Sequence, residues 1–233
     1  MLQGDALKQG EAAAEQSVII TRTNSRSDQL YFLFKGVAHQ FMMNPLSFLC
    51  KTGLWGRNLV MLRDPSCGLY HGRLAEDLRG FASILARLRE YRRQYEWCRE
   101  VHCAGTSAGA HAAILFGHYL EADVVTAFAP PSLIDVDAMR AKRSLPASWT
   151  LPEEHRDLAR LLATWNGRTA YRLFYCRSCL ADKEQAERLA HCPGVSLHPQ
   201  EGHQHNVVEV LDKNGKLGGL FPPSIVEEVR LVR

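Results

Sequence analysis

Short segments rich in β-branched and aromatic residues alternate along this chain with longer segments of helical periodicity, and this alternation is the strongest constraint on its fold. Several of the short segments are apolar at nearly every position, as strands are when both faces of a parallel sheet are covered. Seven segments predict strands: residues 18–21, 30–35, 58–63, 100–104, 124–128, 171–176 and 195–198. The pattern therefore predicts an α/β protein with a mostly parallel central sheet flanked by helices.

The segments between these strands predict the helices. Residues 75–97 carry apolar side chains at intervals of three and four, with Arg and Glu between them, which is the pattern of an amphipathic helix. Residues 108–120 are apolar nearly all round, so we expect a deeply buried helix there. Further helices are expected over residues 182–190, where Asp182 suits an N-cap, from near Asn206, and over residues 224–232.

The composition is that of a globular domain. Of 233 residues, 46% are hydrophobic and 23% are charged, which excludes a disordered tail, a collagen-like fibre and a membrane bundle. We expect a loose leader over residues 1–16 and one domain over residues 17–233 without a large cap. Within this domain, the irregular segment 132–167 is expected to shape a pocket. A domain of this length can bury roughly 70% of its unfolded surface, so its core needs neither a disulfide nor a metal.

The net charge and the cysteine content limit the kinds of binding partner and the cellular compartment that the sequence predicts. The formal net charge of +3 is too small to indicate nucleic acid as the main partner. No apolar run is long enough to span a bilayer, and residues 1–16 lack the apolar segment of a signal peptide. Seven cysteines, an odd number, are typical of free thiols in a reducing compartment. The sequence thus predicts a cytoplasmic protein with no membrane span.

One short motif indicates chemistry. Residues 105–109 read Gly-Thr-Ser-Ala-Gly, a G-x-S-x-G pattern that follows a predicted strand and opens the apolar helix. A nucleophile elbow requires this strand–turn–helix context, because its serine sits on a sharp turn between the two elements. Ser107 is therefore the predicted nucleophile. The alternatives are a closely packed turn of small residues and a phosphate site at the helix N-terminus.

With this motif the chain resembles the α/β-hydrolase superfamily, from about residue 30 to the C-terminal region. The order in that family is nucleophile, acid and histidine, and this chain matches it with Ser107, with Asp182 after the late strand, and with His205 after the last strand. The resemblance is strongest to small bacterial members with a G-[TS]-S-A-G motif, a following Phe-x-Pro segment (here 128–130) and a later His-x-Val-Val. Such members imply a role in a biosynthetic pathway.

Two positions in this assignment have alternatives. His203 lies two residues before His205, and we favour His205 as the base because it directly precedes a predicted helix start. Many relatives carry the acid directly after the strand, where this chain has Arg177, so Asp182 can also be read as a helix N-cap alone. The alternative acids are Asp135 and Asp137.

The resemblance also implies an oxyanion hole and a reaction. Its donors are the backbone N–H group of Ala108 and that of Val37 or Ala38, in the loop after the strand at residues 30–35; Val37 is the preferred choice. We expect no cofactor and no metal, since the pair Cys176 and Cys179 lacks a second ligand pair. The prediction is a serine hydrolase that cleaves an ester, thioester or amide of a small-molecule or carrier-bound acyl substrate. An acyltransferase with the same triad and a catalytically silent binding protein are the alternatives.

Overall fold

The computed structural model describes residues 19–24 and 26–221, and in this part of the chain seven strands form one sheet. The strands are β1 (Ile19–Arg22), β2 (Gln29–Phe34), β3 (Asn58–Leu62), β4 (Glu100–Thr106), β5 (Val124–Phe128), β6 (Ala170–Cys176) and β7 (Val195–Gln200). Their order in the sheet is β1-β3-β2-β4-β5-β6-β7, and all neighbours are parallel except β1, which pairs antiparallel with β3. The predicted sheet is confirmed, whereas residues 1–16 and 224–232 lie outside the described residues.

Eight α-helices occur in the described residues. They are α1 (Pro45–Lys51), α2 (Gly80–Gln94), α3 (Ala108–Tyr119), α4 (Val136–Arg143), α5 (Glu153–Arg156), α6 (Leu158–Leu162), α7 (Leu180–Glu187) and α8 (Val207–Lys213), with 3₁₀ turns at Leu54–Gly56 and Leu217–Gly219. The sequence analysis missed α1, although Asn44 caps it and Pro45 stands in its first turn. Helix α2 begins later than predicted, because the N–H groups of Leu74 and Ala75 bond to the carbonyl oxygen of Leu78 in a turn.

Strand β2 lies in the centre of the core. Leu30, Phe32 and Phe34 belong to the hydrophobic cluster on one face of the sheet, whereas Tyr31 and Leu33 belong to the cluster on the other. All five are fully buried. Successive side chains of a strand point to opposite faces, so a strand covered on both sides must be apolar throughout. The prediction of doubly buried strands is confirmed here.

A chain of histidine contacts fastens the segment 132–167 to the rest of the fold. The His71 Nδ1–H donates to the Leu69 carbonyl oxygen at 2.8 Å, and His71 Nε2 accepts from His155 Nδ1 at 2.9 Å. The Tyr119 hydroxyl lies 3.3 Å from His155 Nε2. Both rings satisfy these contacts as neutral imidazoles, because each then has one donor and one acceptor nitrogen. Burial lowers the pKa of His71 from 6.5 to about 3.

This burial makes stability depend on pH. Between pH 6.5 and about 3 the unfolded chain binds a proton at residue 71 that the folded chain does not, so the free energy of unfolding falls as the pH is lowered through this range. The slope for one proton is about 1.4 kcal/mol per pH unit. We expect His71→Gln to flatten the pH dependence in urea unfolding at pH 7, 6 and 5, whereas His191→Gln at an exposed position should retain it. An unchanged slope for His71→Gln would contradict this account.

Candidate active site

The turn between β4 and α3 holds the predicted nucleophile in a strained backbone conformation. Ser107 has φ 52° and ψ −121°, a region that residues other than glycine rarely adopt and that costs about 1–3 kcal/mol. Its N–H donates to the carbonyl oxygen of Phe128 on β5 at 2.8 Å, which fixes the turn against the neighbouring strand. The G-x-S-x-G motif therefore lies in the sharp strand-to-helix turn that the sequence predicts.

Two glycines make this turn possible. A Cβ at Gly105 would lie 2.1 Å from the carbonyl oxygen of Gly109, and a Cβ at Gly109 would lie 2.1 Å from the carbonyl oxygen of Phe34 and 2.6 Å from that of Lys35. Both distances are far inside van der Waals contact, so no side chain fits at either position. The first turn of α3 thus rests directly on the backbone of β4 and on the end of β2.

The loop after β2 packs against the same turn. A Cβ at Gly36 would lie only 3.0 Å from the carbonyl oxygen of Thr106, and the Thr106 hydroxyl donates to the carbonyl oxygen of Gln40 at 3.2 Å. The N–H of Gly36 donates to Gln40 and that of His39 to Gly36, both at 2.9 Å, which closes a tight turn around Val37. The Val37 N–H has no backbone acceptor among residues 19–24 and 26–221.

The other predicted oxyanion donor is the backbone N–H of Ala108. Ala108 is the first residue of α3, where a backbone N–H has no acceptor within the helix. The positive end of the helix dipole lies at the same place and favours negative charge. The N–H groups of both predicted donors are therefore left without a backbone acceptor among the described residues.

Asp182 and His205 are joined by a close hydrogen bond. The Nδ1 atom of His205 lies 2.9 Å from each carboxylate oxygen of Asp182. A carboxylate only accepts, so Nδ1 carries the proton and Nε2 is the free acceptor of the ring. The Asp182 side chain is 11% exposed and that of His205 52% exposed, which places the carboxylate inside and the imidazole at the surface.

Backbone hydrogen bonds bring the two loops that carry this pair together. After β6 and β7 end, the N–H of Arg177 donates to Gln200 at 2.8 Å and the N–H of Ser178 donates to Gly202 at 2.9 Å. Asn206 caps α8 and donates from Nδ2 to the carbonyl oxygen of Met42 at 2.8 Å. The histidine loop is therefore fastened both to the acid loop and to the loop after β2.

The alternative residues have other surroundings. The interpretation of Asp182 as a helix N-cap is wrong, because α7 begins at Leu180 and its N-cap residue is Cys179. Asp182 lies in the first turn of α7, and its carboxylate accepts a hydrogen bond from His205. Asp135 caps α4 instead, accepting from the N–H groups of Asp137 and Ala138. Asp137 is exposed and pairs with Arg140, and His203 is exposed without a hydrogen bond to any described residue.

Sequence reasoning missed two contributors to this arrangement. The hydrogen bond from Asn206 to Met42 has no signal in the sequence beyond an asparagine before a helical run, which indicates only a cap. An apolar cluster of Leu69, Ile134, Trp149 and Leu151, against which Ala108 packs, joins segments far apart in the chain. No local pattern could have predicted that contact.

The described residues 19–24 and 26–221 contain no group of three or more His, Cys, Asp or Glu side chains placed to bind a metal ion. In the same part of the chain, no helix has both the length and the apolar surface needed to cross a membrane. All seven cysteines lie in the described residues as free thiols.

Comparison with known proteins identifies the fold of the chain. No protein-family model and no curated protein matches the chain. An α/β hydrolase from the metagenome of lagoon sediments at Mar Chica, Morocco, aligns at 16% identity over 87% of this chain and 93% of that chain, with a TM-score of 0.54. The chain has the α/β-hydrolase fold.

Two further solved structures share this fold. The esterase Pf2001 of Pyrococcus furiosus aligns at 18% identity over 85% of this chain and 81% of that chain, with a TM-score of 0.56. The capsule O-acetyltransferase of Neisseria meningitidis serogroup A aligns at 10% identity over 85% and 88%, with a TM-score of 0.61. At such low sequence identities, the similarity shows a shared fold alone. The α/β-hydrolase fold that the sequence predicts is thereby confirmed.

The glycine contacts at the turn lead to a stability prediction. Gly109→Ala should lower the free energy of unfolding by about 3 kcal/mol or more, because the added Cβ meets backbone oxygens that cannot move aside. Gly56→Ala is the matched control, since a Cβ there has no neighbour within 4 Å. Urea unfolding of both variants provides the measurement. Equal, small effects of the two substitutions would contradict the close contact at Gly109.

Proposed function

We propose that this protein is a serine hydrolase that cleaves an ester, thioester or amide bond through an acyl-enzyme on Ser107. The observation that carries this proposal is the hydrogen bond of His205 Nδ1 to a nearly buried Asp182 carboxylate. Ser107, Asp182 and His205 follow the carboxyl ends of the parallel strands β4, β6 and β7, which lie at one edge of the sheet. Ligand sites of open α/β sheets are found at this edge.

The proposed reaction has two halves. His205 Nε2 takes the proton of the Ser107 hydroxyl as its oxygen attacks the substrate carbonyl, and the N–H groups of Ala108 and Val37 stabilise the oxyanion. Asp182 holds the ring in the tautomer with Nδ1 protonated and stabilises the imidazolium. The imidazolium then protonates the leaving group as the carbon–leaving-group bond breaks. Water, deprotonated by the same histidine, releases the acid and regenerates the serine.

A second candidate is acyl transfer by the same groups. The capsule O-acetyltransferase has the same fold at a TM-score of 0.61, so an acyl group on Ser107 could pass to an acceptor hydroxyl instead of water. Addition of an alcohol acceptor distinguishes the two, because a transferase yields the new ester at the expense of the free acid. Either activity suits a small-molecule or carrier-bound acyl substrate in a biosynthetic pathway. Seven free thiols favour the reducing cytoplasm as its location.

The nucleophile can be tested with a fluorophosphonate and intact-mass spectrometry. We expect one adduct on the wild type, none on Ser107→Ala, and labelling slowed by about two to four orders of magnitude for Asp182→Asn, because the ring loses its orienting carboxylate. Asp135→Asn, which removes a carboxylate that only caps a helix, should label at the wild-type rate. A folded wild type without an adduct would instead indicate the silent binding protein.

The choice between the histidines has its own test. His205→Ala should lower kcat/KM for p-nitrophenyl butyrate by about 1,000-fold or more, since the serine loses its base. His203→Ala, at an exposed position two residues away, should change it by less than about threefold. The reverse pattern would transfer the base to His203.

A further inference from the structure

Two of the free cysteines lie in the turn that leads to the proposed catalytic acid. Strand β6 ends at Cys176, and Cys179 is the N-cap residue of α7. The N–H of Cys179 donates to the carbonyl oxygen of Cys176 at 3.1 Å across a turn at residues 177 and 178. A four-residue turn holds its first and last Cα atoms less than about 7 Å apart, and disulfides join Cα atoms about 4.4–6.8 Å apart. The turn therefore places the two cysteines at a separation that a disulfide can span.

The two thiols also share their surroundings. Cys176 is fully buried in the apolar cluster on the α8 side of the sheet, and Cys179 packs against this cluster while remaining partly exposed. After burial and Asp182, a charge on Cys179 is the next cause that raises the pKa of the Cys176 thiol, which a distant sulfur would not do. Cys179 thus offers a sulfur to solvent, and Cys176 offers a second sulfur close behind it.

This pair lies between the loops that carry Asp182 and His205. On one side, a Cβ at Gly202 would lie 3.2 Å from the Cys176 sulfur, so this thiol packs against the backbone of the histidine loop. On the other side, burial raises the pKa of both thiols and the charge of the Asp182 carboxylate raises it further. Asp182 is the third residue of α7, and the side chains of a helix N-cap and third residue are neighbours. A change at the sulfur pair therefore acts directly on the acid.

We propose that Cys176 and Cys179 are a redox-sensitive pair whose disulfide slows turnover by displacing Asp182. The chemistry is thiol–disulfide exchange with a small disulfide such as oxidised glutathione. The Cys179 thiolate attacks one sulfur of the oxidant, whose S–S bond breaks and releases one glutathione thiolate. The Cys176 thiolate then attacks the Cys179 sulfur, which forms the protein disulfide and releases the second glutathione thiolate. The protein loses two electrons and two protons, and the oxidant gains both as two thiols.

The disulfide acts on the acid through the helix that carries it. An S–S bond is only about 2 Å long, so its formation draws the start of α7 toward the end of β6. A misplacement of about 1 Å in a group that orients the reaction can lower the rate by about 100-fold. This effect on turnover rests on the proposed hydrolase function, whereas formation of the disulfide does not.

Formation of the disulfide is measured on the folded protein. Oxidised glutathione is added at pH 8.5, because the thiolate is the reacting form and the raised pKa keeps both thiols protonated at neutral pH. The remaining thiols are blocked with N-ethylmaleimide before digestion with trypsin, which cleaves after Arg172, Arg177 and Lys183. We expect mass spectrometry to show residues 173–177 linked to residues 178–183, and dithiothreitol to remove this link.

Three cysteine variants control this experiment. Cys179→Ser removes the attacking sulfur but keeps a residue that caps helices well, and Cys176→Ala removes the second sulfur. Neither should form the link. Cys50→Ser, at an exposed cysteine on α1, should form it as the wild type does. A folded wild type that yields only glutathione adducts, without a link between the two peptides, would overturn the proposal.

The effect on turnover is measured with p-nitrophenyl butyrate before oxidation, after oxidation and after dithiothreitol. We expect oxidation to lower kcat/KM of the wild type and of Cys50→Ser by roughly 10- to 100-fold, and dithiothreitol to restore it. The loss should appear in kcat, because the acid acts on the histidine and not on the substrate.

The variants that lack one sulfur decide whether this loss belongs to the pair. Reduced Cys179→Ser and Cys176→Ala should stay within about threefold of the wild type, and the same oxidation should leave their activity unchanged. An equal loss in these variants would assign the inhibition to another thiol and overturn the proposal. A linked wild type with full activity would overturn it as well.

A readout without turnover separates this inference from the proposed function. The ring proton resonances of His205, assigned through His205→Ala, should shift when the wild type is oxidised, because the carboxylate bonded to this ring moves. Those of His155, on α5, should not. If Ser107 takes no fluorophosphonate and no ester is hydrolysed, but the link forms and His205 shifts, the redox pair stands and the hydrolase function falls.

Discussion

The close contact between the first turn of α3 and the end of β2 is the constraint on which the rest of the structure depends. The backbone of Gly109 lies so near the carbonyl oxygens of Phe34 and Lys35 that no Cβ fits between them. This contact forces the chain to reverse within one residue, which puts Ser107 in a strained conformation. Burial of α3 from residue 109 to residue 117 offsets the strain, because the helix cannot move away without exposing apolar surface to water.

The loop after β2 extends this constraint to the other side of the site. Thr106 bonds to Gln40 across 66 residues of sequence, and Asn206 bonds to Met42 across 164. Through these two hydrogen bonds one short loop fixes both the turn that carries Ser107 and the loop that carries His205. A displacement of either element would leave polar groups of this loop without partners, which makes the arrangement cooperative.

The electrostatics of the Asp182 and His205 pair follow from the position of the acid in a helix. Asp182 stands in the first turn of α7, where the helix dipole favours a carboxylate, and only 11% of its side chain is exposed. The low polarity around it strengthens the hydrogen bond to His205, whereas the half-exposed imidazole stays accessible to substrate and solvent. An acid six residues after the end of β6 thus occupies a position suited to orient the ring.

Local pattern in the sequence determined the strands, the buried helix α3 and the G-x-S-x-G turn. Such features depend on periodicity and on glycines within a few residues, which the sequence displays directly. Only the tertiary structure decided that Asp182 contacts His205 and is not a helix cap, since an aspartate near a helix start suits both roles. The same holds for the hydrogen bond from Asn206 to Met42, because the fold alone brings together residues that lie 164 positions apart in the chain.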